Sequence, residues 1–275
     1  MTNKKKLERK IKKDTKQKNK KRPSKNVNAV RKIKKKRKKK KTKFLIRRIL
    51  VIFIFLFIIY SIFCGVKFLI ELIPTKKIIV IDAGHGGNDP GFPSKYSKSI
   101  FEKEINLKIA KKLESKLEKK YKVHMIRTQD IKIDNYNRAK KANELEADIF
   151  ISIHANSFED QNVEGIEIFY DLEDEKELEY GNQKQKDSKF LADFVLNDMV
   201  EESGANKRGV KKNHRIIVTR ETNMPAILIE TGFMSNSKEF TKLNTDLYQQ
   251  KLVDGVEKGL ENYFISIKDR ESKTK

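Results

Sequence analysis

Cysteine is almost absent from the sequence, because Cys64 is the only one among 275 residues. This excludes a small domain held together by disulfide bonds. Long hydrophobic runs are also scarce, since only Ile49–Val66 continues for 18 residues without a charge. A multi-pass membrane protein is therefore excluded. No internal repeat is visible either, so we do not expect a repeat architecture.

Acidic residues are nearly missing from the first 48 positions, which contain only Glu8 and Asp14. The same positions hold 26 of the 62 Lys and Arg residues, and the rest of the chain has 36 residues of each sign. The net charge of +24 therefore lies in this N-terminal part, and the chain as a whole is not expected to bind nucleic acid. We predict that residues 1–43 form a disordered, Lys-rich tail, since like charges repel and almost nothing apolar is there to bury.

The apolar run predicts a membrane anchor over residues 44–73, including its interfacial flank. As a helix, Ile49–Val66 would be about 27 Å long, close to the hydrocarbon thickness of a bilayer. A cleaved signal peptide would need a shorter apolar region, followed by small residues at the cleavage site. Here the apolar region is long, and the bulky Phe63 precedes Cys64 where a small residue would be needed. We therefore favour an uncleaved, single-pass anchor in the cell membrane. The positive-inside rule then places the tail in the cytoplasm and the body outside.

The basic tail has three candidate roles. It could bind anionic lipids of the inner leaflet, where each basic residue contributes about 1 kcal/mol. It could bind nucleic acid through counterion release, or it could only set the topology. We favour topology together with lipid contact, and we expect no nucleic-acid partner.

The body, residues 76–265, is long enough for one domain with its own core. Three short runs are apolar throughout and rich in β-branched residues, which is typical of strands buried on both faces: Ile78–Ile81, Ile149–Ile153 and Ala226–Ile229. Helical patterns lie between them, such as the apolar steps of four from Phe101 to Leu117. This alternation predicts a single α/β domain with a mostly parallel, twisted sheet flanked by helices.

Weaker patterns predict the remaining elements of the body. Residues 121–127 and 165–170 are predicted strands, and 139–146, 190–202 and 247–264 are predicted helices. The charged, non-periodic stretch 171–189 predicts an exposed loop, and residues 266–275 are expected to be a frayed C-terminal tail.

Chemically active side chains follow the three apolar strands: His85, His154 and Glu230. Sites in open α/β sheets form beyond the carboxyl ends of the strands, so these residues can meet in space. Glu102 is a fourth candidate, in the first turn of the helix after a glycine-rich loop, where the helix dipole favours a carboxylate. Asn106 is a candidate for a hydrogen bond that orients a ligand, as is Asn156.

Two histidines and a glutamate form a catalytic zinc set with the fourth position left for water. A second carboxylate, away from the metal, could accept a proton from that water. Taken singly, a histidine at a strand end is usually structural, and Glu102 could simply complement the helix dipole. Glu230 is harder to explain, because a carboxylate directly after an apolar strand costs free energy unless it is paired or functional. The joint pattern favours a metal site.

Four segments of the body carry these residues: IDAGHGGNDPGF (Ile81–Phe92), FEKEINL (Phe101–Leu107), ISIHANS (Ile151–Ser157) and MPAILIETGFMSN (Met224–Asn236). In this order they resemble the zinc-dependent N-acetylmuramoyl-L-alanine amidases of bacteria, of the amidase-3 type. The resemblance runs from about residue 78 to residue 264 and covers neither the basic tail nor the anchor.

The resemblance implies an α/β sheet flanked by helices and one bound Zn²⁺. It implies that His85, Glu102 and His154 are the metal ligands and that Glu230 is the catalytic carboxylate. The implied reaction is hydrolysis of the amide between N-acetylmuramic acid and L-alanine in peptidoglycan. Peptidoglycan is thus the expected substrate, and an anchored body outside the membrane would face it in the cell wall.

Two other functions stay open. The chain could be another zinc peptidase, acting on the stem peptide of peptidoglycan, or a catalytically inactive, membrane-tethered wall-binding module. The presence of Glu230 argues against the inactive module. We also expect an open active site that needs no activator, because the stretch 171–189 has no apolar face with which to plug it.

Overall fold

The computed structural model describes residues 25–71, 76–92, 96–97, 99–173 and 182–273. By its internal contacts the chain divides into two units, Met1–Pro74 and Thr75–Lys275. The second unit contains the whole body, which agrees with the prediction of one domain.

The described part of the first unit is one long helix, α1 (Lys25–Glu71). Its segment Ala29–Lys67 is long and apolar enough to cross a membrane, by length and composition. The helix also includes Lys25–Lys43, where the sequence predicts disorder, and residues 1–24 lie outside the described part. Lysine has a high helix propensity, and extending a helix already nucleated by an apolar segment costs little. Charge repulsion alone is therefore a poor predictor of disorder here.

Six strands of the second unit form one sheet in the order β2-β1-β3-β6-β4-β5. The strands are β1 (Ile78–Ala83), β2 (Lys122–Met125), β3 (Ile149–Asn156), β4 (Ile166–Tyr170), β5 (Lys207–Lys212) and β6 (Ala226–Phe233). The helices are α2 (Glu102–Leu117), α3 (Asn135–Glu144), α4 (Gln183–Ser203), α5 (Ile217–Arg220), α6 (Ser237–Leu243) and α7 (Asp246–Lys273).

The strand pairs are parallel except that β4 runs antiparallel to β6. The reason is the short connection between β3 and β4, residues 157–165. A parallel return would need a crossover of about a dozen residues or more. β4 therefore begins at the edge of the sheet where β3 ends, and the α/β fold with a mostly parallel sheet is confirmed.

The sheet is apolar on both faces, and each face is covered. The larger core packs Ile81, Ile151 and Ile229 against residues of α2, α4 and α7. The smaller core packs Phe150 and residues near it against α3 and α5. Since both faces of the central strands are buried, the candidate site residues lie at or just beyond the carboxyl ends of β1, β3 and β6.

Several boundaries differ from the sequence-based expectations. Strand β5 is not predicted, because Lys207–Lys212 is mostly basic and lies at the sheet edge. Helix α4 begins at Gln183, inside the predicted loop 171–189, of which residues 174–181 lie outside the described part. The expected frayed tail is helical through Lys273, because α7 continues that far.

Candidate active site

The loop after β1 places His85 at the carboxyl edge of the sheet. Its backbone has a φ of 61°, in the left-handed region that a non-glycine residue seldom adopts. The turn that follows is closed by mutual backbone hydrogen bonds between Gly86 and Asp89, at 2.9 and 3.1 Å. Gly86 and Gly87 have φ values of 129° and 60°, so glycine is the residue that this turn requires.

Two buried arginines hold the backbone of this loop. Arg127 donates from Nε to the carbonyl of Ala83 and from Nη2 to that of Gly84, each at 2.8 Å. Arg138 donates to the carbonyl of His85 at 2.7 Å and to Asp82 Oδ1 at 2.5 Å. These charge-assisted bonds stabilise the left-handed conformation of His85. Neither arginine is among the predicted site residues.

The structure brings His85, Glu102 and His154 together from the β1 loop, the first turn of α2 and the end of β3. His85 Nε2 lies 3.1 Å from Glu102 Oε2, and His154 Nδ1 lies 2.9 Å from Glu102 Oε1. One ligand atom from each of the three residues lies within 4.8 Å of the others. Their spacing in the sequence is wide, and the parallel arrangement of β1 and β3 is what places them side by side.

Glu102 is an ionised carboxylate within this group. Its side chain is 1% exposed, and it accepts hydrogen bonds from Asn106 Nδ2 at 3.1 Å and from the backbone N–H of Phe92 at 2.9 Å. Burial alone would raise the pKa of Glu102, but the hydrogen bonds with His154 and His85 hold that pKa well below its ordinary value. The expected role of Asn106 in orienting Glu102 agrees with this contact.

Asp89 orients His85, although it is not among the predicted site residues. Asp89 Oδ2 lies 2.9 Å from Nδ1 of His85, and this contact fixes the ring with its Nε2 facing Glu102. Burial alone would lower the pKa of His85, but Glu102 and then Asp89 raise it above its ordinary value. The sequence does contain an indication of this contact, since an acidic residue four positions after His85 can close the glycine-rich turn.

Glu230 lies beside this group, on β6. It is paired in register with His154 of β3 on one side and with Glu167 of β4 on the other. Its Oε2 is enclosed, and no hydrogen-bond partner for it is present in the described part of the chain. Burial raises the pKa of Glu230 well above its ordinary value, and the negative charges of Glu102 and Glu167 raise it further. An enclosed carboxyl oxygen with no internal partner is rare in folded proteins, which makes Glu230 a candidate functional residue.

Glu167 is a structural carboxylate and has its own partners. Its Oε2 accepts from Arg208 Nε at 2.9 Å and from Lys211 Nζ at 2.5 Å, and Asn156 donates to its Oε1 at 3.0 Å. Asn156, expected to orient a metal ligand, therefore supports Glu167 instead, because the irregular register after His154 turns it towards β4.

The donor set fits a zinc ion. Two imidazole nitrogens and one carboxylate are ligands that suit Zn²⁺ in catalytic sites, where a fourth position stays open. The side chains of His85 and His154 are still 23% and 18% exposed, and both line a cavity of about 220 Å³. The two histidines are thus accessible from this cavity.

The other histidines lie outside this group. His124 is in β2, and His214 forms an ion pair with Asp171 at 2.8 Å. Arg220 donates to Glu221 and to the carbonyl of His214, so it supports the loop before β6.

Gly84 leaves the space that the His154 ring occupies. A Cβ at this position would overlap His154 Cε1, Nε2 and Nδ1, so we expect Gly84→Ala to displace the ring. The loss in zinc affinity should be about 10- to 100-fold, as for other changes that disturb ligand orientation. Zinc titration with a chromophoric chelator measures it, and an unchanged melting temperature shows that the fold is intact. Wild-type affinity in the variant would contradict this account of Gly84.

Residues 79–262 match a family model described as N-acetylmuramoyl-L-alanine amidase. The chain is 32% identical to YqiI of Bacillus subtilis over 189 residues, which are 68% of this chain and 85% of YqiI. It is 31% identical to the N-acetylmuramoyl-L-alanine amidase LytC of Bacillus subtilis over 68% of its own length, but spans only 36% of LytC. The crystal structure of an N-acetylmuramoyl-L-alanine amidase from Clostridium difficile 630 aligns with a TM-score of 0.63 and 37% identity, covering 70% of this chain and 99% of that one.

Proposed function

Because this chain belongs to the N-acetylmuramoyl-L-alanine amidase family, we propose that it is a zinc-dependent hydrolase of the amide bond between N-acetylmuramic acid and L-alanine in peptidoglycan. The observation that carries the proposal is the approach of His85, Glu102 and His154 to within 4.8 Å, with the unpaired carboxyl of Glu230 beside them. In this proposal His85, Glu102 and His154 bind the ion, and Glu230 accepts a proton and later donates it.

The ion would supply Lewis acidity, which lowers the pKa of water and polarises a carbonyl oxygen. Glu230 takes a proton from the attacking water as the oxygen adds to the lactyl carbonyl carbon. It then returns the proton to the amide nitrogen, the C–N bond breaks, and a lactyl carboxylic acid and the free amine of L-alanine result. No covalent bond to the protein forms in this sequence of events.

We also propose that α1 anchors the protein in the cell membrane, with the basic tail in the cytoplasm and the catalytic domain on the side of the cell wall. The apolar segment of α1 and the exposed Lys and Arg residues before it support this topology. The same basic residues are positioned to contact anionic lipids of the inner leaflet.

Digestion of purified peptidoglycan by the full chain in detergent tests the proposed reaction. We expect free stem peptides that begin with L-alanine and glycan strands that keep their lactyl groups, both identified by mass. A chelator should abolish the release, and added Zn²⁺ should restore it. Cuts between amino acids would instead support a stem-peptide peptidase, and binding without any product would support an inactive wall-binding module.

The same digestion tests whether the site is open. The exposed fractions of His85 and His154 favour activity of the purified chain without any second protein. If zinc-loaded enzyme digests peptidoglycan only after a cell extract is added, an activator is required and this expectation is wrong.

A further inference from the structure

The proposed reaction gives no role to one charged side chain in the wall of the cavity that His85 and His154 line. The wall contains six titratable side chains: Asp82, His85, Asp89, Arg138, His154 and Arg215. Five of them are engaged inside the protein. Asp82 pairs with Arg138 at 2.5 Å, and the two histidines are held by Asp89 and by Glu102.

Arg215 is the exception. Within the described residues, no ion pair or hydrogen bond of its guanidinium is present, and only its backbone N–H is engaged, with Asn213 Oδ1 at 3.0 Å. The side chain is exposed, yet it lines the same cavity as His85 and His154. The wall therefore presents one cation that the protein itself leaves uncompensated.

The backbone around Arg215 is held firmly, which keeps the guanidinium near the cavity. Asn213 donates its backbone N–H to the carbonyl of Tyr170 at 2.9 Å. On the other side, Ile216 and Val218 pack into the smaller core of the sheet. When the backbone is fixed on both sides of a residue, its side chain loses less entropy on binding a ligand than a side chain on a mobile loop.

We propose that Arg215 binds a free carboxylate on the peptide side of the scissile bond, namely the α-carboxylate of the D-glutamate that follows L-alanine. This inference rests on the proposed function. The glycan side offers no free carboxylate, since the lactyl carboxyl is part of the amide that is cleaved. D-Glutamate is linked onwards through its γ-carboxyl, so its α-carboxylate is free unless the cell amidates it.

Distance and chemistry both fit this assignment. Two extended residues span about 7 Å, so the α-carboxylate lies within reach of a long side chain on the cavity wall. Arginine binds carboxylates through two parallel N–H···O bonds, whereas a neutral carboxamide gains no ion pair. Arg215 would therefore make the enzyme prefer stem peptides with a free α-carboxylate over amidated ones.

Two synthetic substrates test this preference with the full chain in detergent. They are muramoyl-L-alanyl-D-glutamate and its α-amide, with the γ-carboxyl capped as a methylamide in both, so that only the α-group differs. We expect wild-type kcat/KM to be about tenfold higher for the carboxylate. Arg215→Gln should lose this factor on the carboxylate and change less than twofold on the amide. Lys251→Gln, which removes an exposed cation on α7, is the control and should keep the preference.

Binding to the Glu230→Gln variant, measured by calorimetry, separates failure of this inference from failure of the proposed reaction. A carboxylate preference that disappears in the double variant with Arg215→Gln supports the inference even if neither substrate is cleaved. Equal affinity for the two compounds, or an equal loss of kcat/KM on both in Arg215→Gln, would overturn it.

Discussion

Glu230→Gln is expected to lower kcat on peptidoglycan by about a thousandfold while zinc stays bound, because a positioned general base contributes about 10²–10⁴ in rate. Glutamine has the same shape but cannot accept a proton from water. The Oε2 of Glu230 has no hydrogen-bond partner within the described residues, and Glu230 is paired with His154 in the sheet. The carboxyl group that would accept the proton therefore lies next to the proposed metal ligands.

The fold should tolerate this change well. Burial raises the pKa of Glu230, which means that the enclosed site disfavours its ionised form. A neutral amide removes that cost, so the melting temperature should stay equal or rise. Such a gain in stability with a loss of activity is what a functional residue predicts and a structural residue does not.

Stem-peptide release by mass spectrometry, zinc content and thermal unfolding together measure the effect. Glu201→Gln is the matched control, since this carboxylate is exposed on α4 and pairs with Lys258 at the surface. Activity of Glu230→Gln within tenfold of wild type would remove Glu230 from the reaction. Loss of zinc from the variant would instead make it a ligand.

His154→Ala is expected to abolish both zinc binding and turnover. The change removes one of the three proposed ligands together with the contact between His154 Nδ1 and Glu102 Oε1 at 2.9 Å. Zinc affinity should fall by more than the roughly 100-fold that loss of an orienting partner alone produces. Turnover should disappear at zinc concentrations that saturate the wild type.

The control for this prediction is His214→Ala. Like His154, His214 is a partly exposed histidine that contacts a carboxylate, here Asp171 at 2.8 Å, but it lies outside the ligand group. Elemental analysis after dialysis compares the two variants. Should His154→Ala retain one equivalent of zinc, or His214→Ala lose it, the proposed ligand set is wrong.

The two site carboxylates are separated by their surroundings into different chemical roles. Hydrogen bonds with His154 and His85 hold the pKa of Glu102 well below its ordinary value, which suits a permanent metal ligand. Burial and neighbouring negative charge raise the pKa of Glu230, which suits a group that takes up and returns a proton. Their surroundings therefore suit the two glutamates to different roles in the proposed reaction.

Sequence patterns located much of this molecule in advance. The apolar runs that became β1, β3 and β6 are recognisable because strands buried on both faces need apolar side chains throughout. The edge strand β5 is not predicted, since none of Lys207–Lys212 is buried and the segment therefore has no apolar pattern. The helical conformation of Lys25–Lys43 is not predicted either, because a run of lysines is compatible with both helix and disorder.

Residue type and local order are enough to predict the fold class, the four candidate site residues and the resemblance of the segments that carry them. Tertiary structure decided which side chains meet. The arginines that hold the β1 loop, Glu167 beside Glu230 and the uncompensated Arg215 in the cavity wall all depend on tertiary packing. Such contacts join residues far apart in the chain, and no local pattern records them.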